Sequence, residues 1–184
     1  PDEEMKRKKV EEEKAVSQSV LVESYRVPWQ FRDERNHAMA VFSNLFGGYA
    51  NSLLFRKVRE ERGLCYSIYT KYDKYRRLLL LLAGHEKTHH DELEKAIAQT
   101  LNAIRQGEFS DKEFEDAKQD LTIGLGALVD SQGQLIGYQF VQDFFGQTDS
   151  LQERIERIDK VTKEEVMAVA KEVTPALSFN LRQE

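Results

Sequence analysis

"FGGYANSLLFRKVREERGLCYSIYT", residues 46–70, contains a helix, its stop signal and the start of a strand. Gly47-Gly48 interrupts an apolar helical pattern that begins at a candidate cap, Asp33, and runs through Met39, Phe42, Leu45 and Phe46. A second helix is predicted over 50–61, with Leu53, Leu54 and Val58 facing inward and Gly63 placed to end it as a C′ glycine. Leu64, Tyr66, Ile68, Thr70 and Tyr72 then recur every second residue, the period of a strand over 64–73. Such a corner puts a helix directly against a sheet.

The pattern on either side extends this. Residues 16–27, VSQSVLVESYRV, read as a Val-rich strand ending near Pro28. Asp73-Lys74 is a turn. The run 76–83, RRLLLLLA, is either a strand or the start of a helix, since periodicity alone does not separate the two. The second half is helical. Leu93, Ala96, Ile97, Leu101 and Ile104 form one stripe that ends at Gly107. Ser110–Glu113 and Thr162–Glu165 have the spacing of capping boxes. A further apolar helix covers about 132–145, Pro175 breaks the last helix, and 177–182 alternate as a final strand. This order predicts an α/β (α+β) two-layer sandwich, with helices packed on one face of a largely antiparallel mixed sheet.

The chain of 184 residues is long enough for one domain with a substantial core. Residues 1–14 mix five Lys/Arg with six Asp/Glu, and read as a charged linker or arm, solvated and partly helical. Residues 15–184 form the single domain. Because the chain begins at Pro1, it is expected to be a piece of a longer polypeptide. A net charge of −5 gives no nucleic-acid footprint. The longest apolar run, Leu78 to Gly84, is too short to cross a bilayer, so no membrane partner is expected. A single cysteine, Cys65, suits a reducing compartment, and the expected location is cytoplasmic.

His85, Glu86 and His89 spell H-E-x-x-H, the zincin signature, which requires both histidines on one helix face. Gly84 precedes the string, and Thr88 with Asp91 looks like a helix start, which leaves His85 in the loop before the helix. The rival reading is one long helix from Leu78 to Ile104. The inverted motif also fails, because Leu93 stands where its second His would be. No metal site is assigned to this chain. Cys65 reads as a core thiol rather than a nucleophile.

The string 46–70 closely resembles a segment of the pitrilysin, insulysin and mitochondrial processing peptidase family of zinc peptidases. The residues that carry the resemblance are Gly47, Gly48, Ser52, Leu53, Leu54, Phe55, Arg59, Glu60, Gly63, Leu64, Tyr66 and Ser67. "LLAGHEKTHHDELEKAIAQTLNAI" and "FSDKEFEDAKQDL" continue it in order, so most of residues 16–182 is covered. The matching half of such peptidases is the C-terminal, non-metal-binding domain, and HEKTH then falls between a core strand and a helix. The resemblance implies a non-catalytic domain that helps form a substrate chamber and binds peptide. It implies no catalytic residue within this fragment, and Arg59 and Tyr66 as substrate-binding residues. Zinc is expected in the missing catalytic domain, a homologous metal-bearing domain of the same chain or of a partner subunit. The alternatives are an inactive paralogue domain acting as partner or scaffold in a heterodimer, and an independent zincin using HEKTH.

Overall fold

The computed structural model describes residues 8–147 and 149–184. Five strands form one sheet in the order β1-β5-β2-β4-β3: β1 Lys8–Lys14, β2 Ser19–Arg26, β3 Ser67–Asp73, β4 Leu78–His85 and β5 Thr174–Gln183. All neighbours pair antiparallel except β1 with β5, which run parallel. The helices are α1 Arg35–Ser43, α2 His90–Gln106, α3 Asp111–Gly126, α4 Gln132–Phe144, α5 Leu151–Asp159 and α6 Lys163–Glu172. This is the two-layer α+β sandwich on a mostly antiparallel sheet that the sequence predicts.

The sheet is two-sided in character because strand side chains alternate. Leu21, Tyr25, Ile68, Leu79, Leu81 and Ala83 are buried on the helix side. The opposite face carries Val20, Val22, Leu78, Leu80, Leu82, Leu177 and Phe179, which stay partly exposed. The ambiguous leucine run is therefore a strand, β4, and only its alternate residues are fully buried. The predicted second helix over 50–61 is shorter and wider than expected, with Phe55–Glu60 π-helical, and the helix before it likewise ends in a π-helical turn, Asn44–Gly48. Asp33 is not the formal cap of α1, which follows Glu34, yet its carboxylate accepts from the Arg35 backbone N–H at 2.9 Å.

The charged arm behaves differently from the sequence reading. Lys8–Lys14 form an edge strand, mostly exposed, rather than a partly helical linker, and residues 1–7 of that arm lie outside the described residues. The β5 backbone supplies its ladder, and Glu13–Lys87 (2.7 Å) and Lys9–Glu94 (2.8 Å) tie it to neighbouring elements.

The helix ends follow sequence signals. Both predicted capping boxes are formed, at Ser110/Glu113 and Thr162/Glu165, and a third, Ser150/Glu153, opens α5. Gly107 ends α2 in the left-handed region at φ 79°. Arg105 donates to the carbonyls of Ala170 (2.8 Å) and Val173 (3.0 Å), which closes the end of α6.

Candidate functional site

Val58 and Gly63 position the corner that holds Arg59 and Tyr66. Gly63 has φ 63°; its N–H reaches the Arg59 carbonyl at 3.1 Å, and the Leu64 N–H reaches the Val58 carbonyl at 3.1 Å. This left-handed closure turns the chain sharply into β3. Leu64 and Cys65 then enter the core, and Tyr66 turns outward, 54% exposed. The Tyr66 N–H donates to the Gly84 carbonyl at 2.7 Å, extending the β3–β4 ladder by one residue.

The Tyr66 hydroxyl donates to a Glu86 carboxylate oxygen at 2.6 Å, and this bond holds the phenol above its ordinary pKa. Arg59 is half-buried, with its guanidinium 4.4 Å from the centre of the Phe55 ring. Burial pushes the Cys65 thiol up to about 11, opposed by the nearby Arg59 charge. Among the described residues, no hydrogen bond or ring contact joins Arg59 to Tyr66. Both are donors, suited to a peptide carbonyl or a developing oxyanion.

The same corner disperses the HEKTH string. His85 is the last residue of β4 and is fully buried. It lies on the strand itself, one step earlier than the loop position read from Gly84. Its Nδ1 lies 2.8 Å from the Glu86 carbonyl and so carries the donated hydrogen. Burial is the main cause of its lowered pKa. Glu86 has extended backbone and turns its carboxylate out to Tyr66. His89 ends a short 3₁₀ turn, Lys87–His89, and α2 starts at His90, two residues later than Thr88 suggests. The ring that neighbours His85 is therefore His90, at 5.4 Å between centroids. His85 Nε2, His90 Nδ1 and Asn180 Oδ1 are buried without a hydrogen-bond partner among the described residues. A zinc ion of the zincin kind does not fit the HEKTH residues. His85 closes a strand and His89 a 3₁₀ turn, so the two imidazoles do not share one helix face, and the glutamate between them is held by a phenol. Among the described residues, no group of three or more His, Cys, Asp and Glu side chains is arranged to hold a metal ion.

Sequence reasoning missed Glu86 as a partner of Tyr66. The contact spans twenty positions, and the H-E-x-x-H pattern directed attention to metal instead.

Comparison with known proteins matches this geometry to a family. The family model described as "Peptidase M16 inactive domain" covers residues 1–121. A Bacillus subtilis protein named "Probable inactive metalloprotease YmfF" is 26% identical over 181 residues, 98% of this chain and 42% of its own length. An uncharacterized zinc protease of Streptomyces coelicolor is 31% identical over 158 residues, 79% of this chain and 33% of its own length. The chain thus spans less than half of these curated relatives. Among solved structures, a conserved protein from Enterococcus faecalis superposes with a TM-score of 0.92 at 26% identity, covering 100% of this chain and 43% of that one. A peptidase M16 inactive domain from Pseudomonas fluorescens shares the fold, with a TM-score of 0.81 at 19% identity, over 97% of this chain and 44% of that one. The chain, with its glycine-closed corner and its open sheet face, belongs to the inactive-domain family of the M16 zinc peptidases.

Proposed function

We propose that this chain forms one wall of a peptide chamber whose metal-bearing wall is a homologous domain, supplied by the same polypeptide or by a partner subunit. The observation that carries this reading is the exposed Tyr66 side chain, set just ahead of the edge strand β3 and one tight turn from Arg59. Zinc and the general base come from the other wall. On this side, Tyr66 donates to the carbonyl oxygen of the bound peptide as its charge develops, and Arg59 holds a neighbouring backbone carbonyl. Glu86 acts as the resting acceptor for Tyr66 and yields it when peptide enters.

Kinetics of the intact assembly test this. Tyr66→Phe is expected to lower kcat by about 10²–10³, as loss of an oxyanion donor does, with Tm unchanged. Arg59→Ala is expected to act mainly on kcat/KM. A second reading is favoured by the same contacts: Tyr66 is already satisfied by Glu86, and Arg59 by Phe55. In that case the domain is a scaffold, and both variants lower Tm while turnover per folded molecule stays constant.

A further inference from the structure

On the helical side, away from the Tyr66 corner, lies a cleft of about 860 Å³, within the size range of small-ligand sites. Its walls come from α1, the β3–β4 turn, α4 and α5.

The charges around it are unequally matched. Three of the acids are neutralised locally. Asp33 pairs with Arg35 at 2.8 Å, Asp149 pairs with Arg157 at 3.1 Å, and Asp73 accepts from Arg76 and from two backbone N–H groups. Glu34 remains as an exposed rim carboxylate. The cations Lys74, Arg154 and Arg32 have only neutral acceptors. Lys74 donates to the Gln147 side-chain oxygen at 2.5 Å, Arg154 to the Tyr138 hydroxyl at 3.3 Å and Arg32 to the Phe145 carbonyl at 3.1 Å. Among the described residues, no carboxylate forms a salt bridge with Lys74 or Arg154, and both are half-buried. Burial, with the Arg154 charge second, lowers the Lys74 pKa to about 8, and the more weakly felt Asp149 carboxylate opposes that shift.

Beside these cations the cleft is apolar. Phe31 packs on Tyr75 with ring centroids 5.7 Å apart, and Val141 and Leu128 continue the wall.

We propose that this cleft binds a carboxylate carried on an apolar body, with the acid group between Lys74 and Arg154 and the body against Phe31, Tyr75 and Val141. A guanidinium and an ammonium match a planar monoanion. With the exposed Glu34 and the paired carboxylates of Asp73 and Asp149 on the same walls, two cations suit a monoanion better than a phosphate dianion. The carboxylate belongs either to a small free acid or to the C-terminus of a peptide. This site is independent of the role given to Arg59 and Tyr66.

Titration calorimetry on the 184-residue chain tests the proposal with four probes: N-acetylphenylalanine, its primary amide, the tripeptide Ala-Ala-Phe and inorganic phosphate. Both carboxylates are expected to bind saturably, one per chain, with the amide and phosphate at least tenfold weaker. Tighter binding of the tripeptide identifies a peptide terminus as the source, and tighter binding of the acetylated amino acid identifies a small acid. Lys74→Gln and Arg154→Gln are each expected to weaken carboxylate binding at least tenfold with Tm retained. Should Arg154→Gln fail to fold, Lys74→Gln and the amide comparison decide. No saturable binding, equal binding of acid and amide, tighter phosphate, or unaltered binding by folded variants overturns the proposal.

Discussion

Cys65 and Tyr66 are adjacent in sequence and opposite in environment. Cys65 is 7% exposed, while Tyr66 faces solvent and Glu86. The thiol's folded pKa of about 11 lies above its ordinary value of 9.0. The folded state therefore holds a proton that the unfolded state releases between these values, so stability is expected to fall as pH rises from about 9 through about 11. Because Cys65 is the single cysteine, the check is clean. Disulfide reagent at pH 8 is expected to modify the native chain slowly and the chain in guanidinium rapidly, and Cys65→Ala should lessen the alkaline loss of stability, the remainder coming from partly buried phenols such as Tyr49 and Tyr72. Fast native modification would show the thiol to be exposed. The residues themselves identified Cys65 as a core thiol, and the family resemblance singled out Arg59 and Tyr66 as a pair. Neither identified Glu86 as the acceptor for Tyr66, because that contact depends on how the end of β4 meets the start of β3.

At the scale of elements, the wide turn Asn44–Gly48 shows why a glycine pair interrupts the helix. A methyl group on Gly47 would lie 2.8 Å from the Thr70 Cγ2 and 3.1 Å from the Thr70 backbone N, and one on Gly48 would lie 2.5 Å from the Asn44 Oδ1. The pair lets the turn lie directly on β3, where the Thr70 hydroxyl donates to the Ser43 carbonyl at 2.7 Å. Asn44 also bridges to α3, donating to the Ala117 carbonyl at 2.8 Å and to Asp120 at 3.0 Å. Gly47→Ala is expected to cost about 1–3 kcal/mol in denaturant unfolding, as overpacking does; a neutral result would mean the turn moves away from β3 freely. Elements defined by local signals were legible: the capping boxes, the Gly63 and Gly107 stops, and the strand expected over 64–73, which begins at Ser67. The elements that were not legible depend on distant partners. β1 has no alternating apolar pattern and is a strand because β5 supplies its hydrogen bonds. The leucine run is a strand because β2 and β3 flank it on both sides.

For the whole molecule, the helices cover one face of the sheet and leave the other partly exposed, and α4 is apolar on two sides. Tyr138 and Val141 line the cleft, while Ile136, Phe140 and Phe144 are 69%, 66% and 72% exposed. Exposed apolar side chains on one helix contribute little to the stability of the chain that bears them. Phe140→Ser is accordingly expected to change unfolding free energy by no more than about 0.5 kcal/mol. A larger loss would place Phe140 in the core. The central claim is that this domain provides a wall of the chamber rather than its metal centre. The most direct test is peptidase activity of the purified, untagged 184-residue chain, measured with and without chelator, in native and Glu86→Gln forms. The account predicts no cleavage above background in any of these samples. Robust, chelator-sensitive cleavage that disappears in Glu86→Gln would contradict it and place the catalytic centre in the HEKTH string.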